Sequence, residues 1–366
     1  MKMDVIKKED VIDSSNTILK FMNLYNGDSE EHELIRKALF EDLYGKLSEV
    51  NEIKRLLLLN PGLKLILPKN IREMFKNEKI ENFNMAFLSN KLKEHKNIGI
   101  VTALKKELDG VLFALNLPKD SPPVMDSKVF RYWFSEIDRE NQSSLSVVVS
   151  MTGEPRNVPA AIAVEHLLNH FTVDLMIFIG IAAGPKDKVK VGDVVVSDRV
   201  LDYEHVRGEL IMEKIIENPR PLYLEISGRI KNDLSTFDVK TMHYQFIELK
   251  NRLPEKDFPE EIDIGNFLPS FHRGTLIAGE RLFADGKINE FRKSIDERIR
   301  ACDQEDSGFA QACKIHDIDW CVFRGISDYG DPQKKKDMHF LSSISAASAA
   351  VAFLKNFYRL PNKDDF

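Results

Sequence analysis

The run Val173-Asp-Leu-Met-Ile-Phe-Ile-Gly-Ile-Ala-Ala183 is the longest apolar stretch of the chain and decides the fold class. Its centre, Leu175–Ile181, has strand length and lacks the polar alternation of a strand that faces water on one side. Such a run is typical of a strand buried on both faces of a parallel sheet. The small residues of Gly180-Ile-Ala-Ala-Gly184 end it, and they allow a ligand to approach the backbone closely.

Similar β-rich runs lie on both sides of this strand, and helical patterns separate several of them. Strands are predicted at Ile98–Ala103, Leu145–Ser150, Asp193–Ser197, Gly274–Ala278 and Trp320–Gly325. Helices are predicted at Leu104–Leu115, Ala160–Phe171, Lys287–Ile299, Ser307–His316 and Leu341–Phe357. Residues 237–271 contain three prolines and are interpreted as an irregular insertion. The alternation predicts an α/β domain with a mainly parallel or mixed central sheet flanked by helices.

The first 95 residues carry a different pattern. Apolar side chains recur at three- and four-residue steps in Thr17–Tyr25 and Glu33–Tyr44, which is typical of amphipathic helices. We therefore predict a small all-α module at 1–95 and a catalytic domain at 96–360. The module is interpreted as a regulatory or assembly element, although it could also merely cap the core.

Charge and hydropathy exclude several classes of protein. A net charge of −6 and a pI of about 5.9 argue against a nucleic-acid partner, which requires a basic face. The apolar run from Val173 is shorter than the roughly 18–20 residues of a membrane span. The polar N-terminus, Met1–Ser15, lacks the apolar core of a secretory signal. The protein is expected to be cytoplasmic, without a membrane partner.

No metal or other cofactor is predicted. The spacings of Cys302, Cys313 and Cys321 fit neither a redox pair nor a zinc ribbon, so free buried thiols are expected. His166 and His170 have the spacing of a zinc helix. However, a leucine follows the first histidine where a zinc protease carries glutamate, and no third ligand stands out.

Acidic residues lie after two predicted strands and at the start of one predicted helix, and open α/β sheets carry their reactive groups at the carboxyl ends of strands. Glu107 lies in the first turn of a helix, Glu305 precedes another helix, and Asp328 ends a strand after Ser327. Each residue alone could instead cap a helix or complement its dipole. Three acids at similar places in the fold indicate a functional site.

Four segments together resemble the purine nucleoside phosphorylase and nucleosidase superfamily, and within it the methylthioadenosine/S-adenosylhomocysteine nucleosidases. The match runs in order from about residue 97 to 358. The segments are IGIVTALKKE at Ile98–Glu107, FIGIAAG at Phe178–Gly184 with VGDVVVS at Val191–Ser197, ACDQE at Ala301–Glu305, and RGISDYGD at Arg324–Asp331. The resemblance implies a nucleoside phosphorylase-like fold and cleavage of the N-glycosidic bond of a purine nucleoside or nucleotide.

The resemblance also implies a role for each acid. Asp328 would be the general acid at N7 of the purine, because a neutral base leaves more easily than its anion, and Ser327 would orient it. Glu305 would accept hydrogen bonds from the ribose 2′- and 3′-hydroxyls and stabilise the cationic sugar. Glu107 would activate the attacking water, and Phe283 would stack on or flank the base.

Water rather than phosphate is the predicted nucleophile. Phosphorylases of this fold need an arginine cluster and a glycine-rich loop, whereas the loop Thr102–Glu107 offers a carboxylate that would repel phosphate. Hydrolysis is therefore favoured. A phosphorolytic purine nucleoside phosphorylase and a non-catalytic nucleoside-sensing domain remain the alternatives.

Some residues depart from the methylthioadenosine branch. Gln304 stands where that branch usually carries methionine, which argues against a thioether substrate. Arg207 and Arg220 are interpreted as a grip on the phosphates of AMP or ATP, or else as a solvated surface. The remaining substrate-binding candidates are Gly180, Ile181 and Ala182.

Two further expectations rest on the resemblance. The segments Tyr203-Glu204 and Ser307–Ala312 are similar to nucleosidase-like domains that are fused to regulatory modules in bacterial defence systems. Members of the superfamily form symmetric oligomers, so a homodimer or a larger homo-oligomer is expected.

Overall fold

The computed structural model describes residues 94–361 apart from 119–120, 127–129, 141, 205, 212–213, 255–256, 261, 282–285, 287 and 333–337. The strands are β1 Glu94–Thr102, β2 Met125–Asp126, β3 Arg131–Ile137, β4 Leu145–Met151, β5 Phe171–Ala183, β6 Val194–Asp202, β7 Val206–Ile211, β8 Lys214–Pro219, β9 Leu222–Glu225, β10 Phe271–Ala278, β11 Ile299–Asp303 and β12 Asp319–Asp328. The helices are α1 Lys105–Ala114, α2 Asn157–His170, α3 Gly228–Ser235, α4 Val239–Asn251, α5 Ile288–Ser294, α6 Asp306–Ile315 and α7 Met338–Asn356.

The central sheet is mixed and runs in the order β11-β10-β6-β12-β5-β1-β4-β3-β2, with β9 paired to β6. Strands β4, β1, β5 and β12 are parallel neighbours. The direction reverses between β12 and β6, after which β6, β10 and β11 are again parallel to one another. The predicted α/β class with a mainly parallel or mixed sheet flanked by helices is confirmed.

One end of this sheet closes on itself. Strand β11 lies at the end of the order but also pairs with β5, through Cys302 and Ala183. Both residues lie at or next to the carboxyl ends of their strands. The closure therefore brings the loop after β11 to the edge where β1, β5 and β12 also end.

Two groups of helices flank the sheet. Helix α7 packs on α1, α4 and β12, while α2 packs on α6. Helix α7 is long and apolar enough to cross a membrane, but 83% of its apolar window is buried in this domain, so it is a core helix. Its serines bond to backbone carbonyls, as Ser342 does to Ile326 at 2.7 Å. The three cysteines are buried, and none of them forms a disulfide.

Two segments differ from the sequence prediction. The segment 237–271 contains a regular helix, α4, because its prolines all follow the helix end at Asn251. The helix predicted at Lys287–Ile299 ends at Ser294, and Ile299–Asp303 instead pairs with β10 as a strand. The predicted module at 1–95 lies almost entirely outside the described residues and stays a prediction.

Candidate active site

The three predicted acids meet at the end of β5. The N–H of Ile181 donates to Glu107 at 2.8 Å, and Asp328 pairs with Ala183 across the sheet. Glu305 follows β11, which contacts β5 at that same Ala183. The acids are far apart in sequence, but β1, β11 and β12 all end at this edge of the sheet and bring the acids together.

Glu107 is held by backbone donors on two sides. Its Oε2 accepts from the N–H groups of Ala103 and Leu104, each at 2.8 Å, and its Oε1 accepts from Ile181. A carboxylate has about four lone-pair sites, so one acceptor position on Oε1 is left for a further donor. Burial raises the pKa of Glu107, against the lowering effect of Arg324. A carboxyl with a raised pKa is a stronger base once ionised.

Glu305 is buried just before α6. Its Oε1 accepts from the N–H of Arg156 at 3.2 Å, and its Oε2 accepts from Nη2 of Arg324 at 3.1 Å. About two acceptor positions remain, which matches the two hydroxyls of a ribose cis-diol. Burial, together with the negative charges of Asp303 and Glu107, raises the pKa of Glu305 to about 7.

Arg324 lies at the centre of this acidic cluster and is fully buried. Its Nη2 contacts Asp306 at 2.5 Å and lies 3.4 Å from Asp303. Its Nη1 donates to the carbonyl of Ile181 at 3.2 Å, and the guanidinium stacks 4.4 Å from the centre of the Phe178 ring. Burial opposes its charge, but the surrounding carboxylates outweigh burial and raise the pKa of Arg324 well above its usual value. One cation therefore orients several acids at once.

Gly180 makes room for this arrangement. A Cβ atom built on it would overlap Nη1 of Arg324 and lie 2.7 Å from Oε1 of Glu107. The predicted role of Gly180 was close approach to a ligand. In the structure, its missing side chain lets two charged side chains lie against β5.

Asp328 ends β12 beside Ser327. Its Oδ1 accepts from the N–H of Gly330 at 2.8 Å, and its Oδ2 accepts from the Ser327 hydroxyl at 2.9 Å. That hydroxyl also lies 3.3 Å from the carbonyl oxygen of Ala182. Ser327 thus donates to the carboxyl of Asp328, and its role in orienting that acid for catalysis stays a prediction.

The other predicted residues fall in several places. Gln304 is half-buried next to Glu305, and its Nε2 donates to the carbonyl of Glu280 at 2.9 Å. Arg220 is exposed just before β9, whose first residue pairs with Asp202. Arg207 lies on β7, but its side chain is outside the described part, and Phe283 is outside it altogether.

Sequence reasoning missed the residues that bind the acids to one another. Arg324, Asp303 and Asp306 were not predicted, and neither was Arg156. A signal for the first was present, because a charged residue inside a strand expected to be buried on both faces needs a buried counter-charge. Nothing in the sequence distinguished Arg156.

We expect the raised pKa of Glu305 to make stability depend on pH. The pKa of about 7 in the folded state exceeds the ordinary 4.5, so the folded protein keeps a proton that the unfolded chain has lost between these values. The stability present below the unfolded pKa is therefore lost as the pH rises through the folded pKa, by about 3 kcal/mol for this group.

Denaturant unfolding at about pH 5 and about pH 8 tests this expectation. Both tryptophans of the chain, Trp133 and Trp320, lie in this domain, so their fluorescence reports its unfolding. The wild type should lose more stability between the two pH values than Glu305→Gln. Equal losses in the two proteins would contradict the assignment.

The chain belongs to the phosphorylase superfamily. The sequence profile of that superfamily matches residues 97–358, which is the region of the mixed sheet and the acidic cluster. The resemblance read from the four sequence segments is thereby confirmed.

The individual relatives share about a quarter of the aligned residues with this chain. The chain is similar to the ATP nucleosidase Cap17 of Escherichia coli, with 27% identity over 265 residues, or 70% of this chain and 50% of that protein. It is also 24% identical to a 5′-methylthioadenosine/S-adenosylhomocysteine nucleosidase of Exiguobacterium, over 69% of this chain and 94% of the relative. The chain thus spans about half the length of the first relative and nearly all of the second.

A solved structure shows the same fold. The 5′-methylthioadenosine/S-adenosylhomocysteine nucleosidase of S. pneumoniae superposes with a TM-score of 0.51 and 22% identity. The superposition covers 71% of this chain and 98% of the other.

Proposed function

We propose that the domain hydrolyses the N-glycosidic bond of an adenine nucleoside or nucleotide and releases the free base. The convergence of Glu107, Glu305 and Asp328 on the end of β5 is the observation that carries this proposal. Cleavage of this bond needs an acid at the base, negative charge at the sugar and a base at the nucleophile, and three carboxyl groups at one edge of the sheet support a division of these tasks among them.

The proposed steps combine the roles that the resemblance implies with the hydrogen bonds of each acid. Asp328, fixed by Ser327, gives its proton to N7 of the purine as the C1′–N9 bond breaks, and the electron pair of that bond leaves with the neutral base. Glu305 accepts from the 2′- and 3′-hydroxyls and stabilises the cationic ribose. Glu107 takes a proton from water at its remaining acceptor position, and the water oxygen bonds to C1′.

We expect base release to need no inorganic phosphate and to yield a sugar with a free hydroxyl at C1′, such as methylthioribose from methylthioadenosine or ribose 5-phosphate from AMP. The buried carboxyl of Glu107 lies in the first turn of α1, just after β1, and Lys105 and Lys106 of the same turn are exposed. The experiment incubates the protein with methylthioadenosine, S-adenosylhomocysteine, AMP and ATP, with and without phosphate, and identifies the sugar product. A phosphate requirement with a sugar 1-phosphate product, which keeps the 5′ substituent, would show phosphorolysis. Binding without any product would favour the nucleoside-sensing alternative.

A nucleotide is the substrate that we favour. The protein would then be a defence effector that degrades ATP or AMP. The polar Gln304 at the sugar end and the name of the E. coli relative, an ATP nucleosidase, support this choice. The exposed position of Arg220 is compatible with a phosphate grip. A homo-oligomer to which the segment 1–95 contributes is part of the same proposal.

A further inference from the structure

Arg156 adopts a backbone conformation that favours glycine. Its φ is 109° and its ψ is 159°, at the residue that precedes α2. This region of backbone conformation is populated almost only by glycine, and strain of this kind clusters at functional sites. The same residue donates its N–H to Glu305. A strained residue with a large side chain, in contact with the sugar-end acid, indicates that the side chain has a function.

The surrounding contacts hold the strained backbone in place. Oδ1 of Asn157 accepts from the N–H of Gly308 at 2.9 Å, and the N–H of Asn157 donates to Glu280 at 3.2 Å. The first bond joins the start of α2 to the start of α6, and the second joins it to the segment after β10. Glycine at position 156 would offer the same N–H to Glu305, so the chain gains nothing from arginine there except its guanidinium.

The guanidinium of Arg156 is placed at the outer edge of the site. The side chain is 57% exposed, and its Nη1 donates to the carbonyl of Glu280 at 2.9 Å and lies 3.4 Å from that residue's carboxylate. Arginine has five N–H donors in a planar fork. Within the described part of the chain, Nη1 alone donates a hydrogen bond, so Nε and Nη2 keep donors for a ligand. The N-terminus of α2 adds positive potential at the same place.

The substituents of the ribose decide which group of the ligand can bind to Arg156. This step rests on the proposed function, in which Asp328 faces the base and Glu305 accepts from the 2′- and 3′-hydroxyls. A phosphate on either hydroxyl would be repelled by the Glu305 carboxylate. The 5′ position is the remaining place for phosphate, and guanidinium binds phosphate oxygens in bidentate fashion. We propose that Arg156 binds the 5′-phosphate of a purine nucleotide and makes the site prefer nucleotides to nucleosides.

The test compares AMP with adenosine in the full chain. In Arg156→Gly, the ratio of kcat/KM for AMP to that for adenosine should fall by about tenfold to a hundredfold, because charged hydrogen bonds are lost. Arg156→Lys keeps the charge and should retain part of the ratio. The melting temperature of Arg156→Gly should rise, since glycine relieves the backbone strain, so a misfolded variant cannot explain the result.

Arg298→Ala is the matched control. Arg298 is exposed and pairs with Asp296, away from the acidic cluster, so its removal should leave the ratio unchanged. An unchanged ratio in Arg156→Gly, or a wild type that prefers adenosine, would overturn the role of Arg156 and leave the hydrolase proposal standing. If the wild type releases base from neither compound, and also not from methylthioadenosine, S-adenosylhomocysteine or ATP, the proposed function fails. Calorimetric titration with AMP then tests the role of Arg156. The glycine variant is expected to bind AMP at least tenfold more weakly than the wild type, and equal affinity would overturn the proposal.

Discussion

Asparagine in place of Asp328 is expected to slow base release by about 10²–10⁴-fold, the usual contribution of a positioned general acid. The substitution preserves size, and an amide oxygen can still accept from the N–H of Gly330, as Oδ1 does at 2.8 Å. The amide can also donate a hydrogen bond to N7, but it has no proton to transfer. The purine must then leave as an anion. The expected loss is therefore in kcat, measured by chromatographic quantification of free adenine at saturating substrate.

A second substrate separates proton transfer from a loss of folding. An aryl riboside whose leaving group is a stable anion, such as 4-nitrophenolate, needs no proton, so Asp328→Asn should cleave it nearly as fast as the wild type. Asp187→Asn is the matched control, because Asp187 is an exposed acid in the loop after β5 and pairs with Arg292. Unimpaired release of adenine by Asp328→Asn would remove Asp328 from the proposed mechanism.

The sheet could be predicted because its strands are apolar along their whole length. The run Val173–Ala183 became β5, and the helical patterns near residues 105, 160, 307 and 341 became α1, α2, α6 and α7 with shifts of a few residues at their ends. These elements bury continuous apolar surface, so local pattern and tertiary packing require the same structure.

Strand β11 could not be predicted because tertiary pairing decides its conformation. Ile299–Asp303 is short, carries Arg300 and continues a helical pattern, but it becomes a strand by pairing with β10 and by touching β5 at Ala183. The closure of the sheet depends on that contact. Sequence alone therefore identified Glu305 as a candidate but gave no physical route by which it meets Glu107.

Two acids of the site could be predicted because each follows a predicted strand. Glu107 and Asp328 fit that rule, whereas Arg324 lies inside β12 and Asp303 inside β11. Arg156 could not be predicted from the sequence for another reason. Its distinguishing feature is a φ angle of 109°, which is imposed by the contacts around it and not by its residue type.

The buried cluster around Arg324 contains more carboxyl groups than positive charges. Arg324 faces Glu107, Asp303, Glu305 and Asp306, so its single positive charge cannot balance four ionised carboxylates. Uptake of a proton by any of these carboxyls reduces the excess negative charge. Burial raises the pKa of Glu107, of Asp303 and of Glu305. Oδ2 of Asp303 is buried and has no hydrogen-bond partner among the described residues, which is consistent with a neutral carboxyl.

Arg324→Met is therefore expected to destabilise the domain by about 3–5 kcal/mol at neutral pH, because it leaves buried carboxylates without their counter-charge. The loss should shrink as the pH falls, since the carboxyls of Glu107, Asp303 and Glu305 then take up protons and need no cation. Denaturant unfolding followed by tryptophan fluorescence at about pH 5 and about pH 8 measures both effects. Arg324→Lys keeps the charge without the planar fork and should lie between the two proteins. A destabilisation of Arg324→Met that does not change with pH would indicate lost packing against Phe178 and not lost charge.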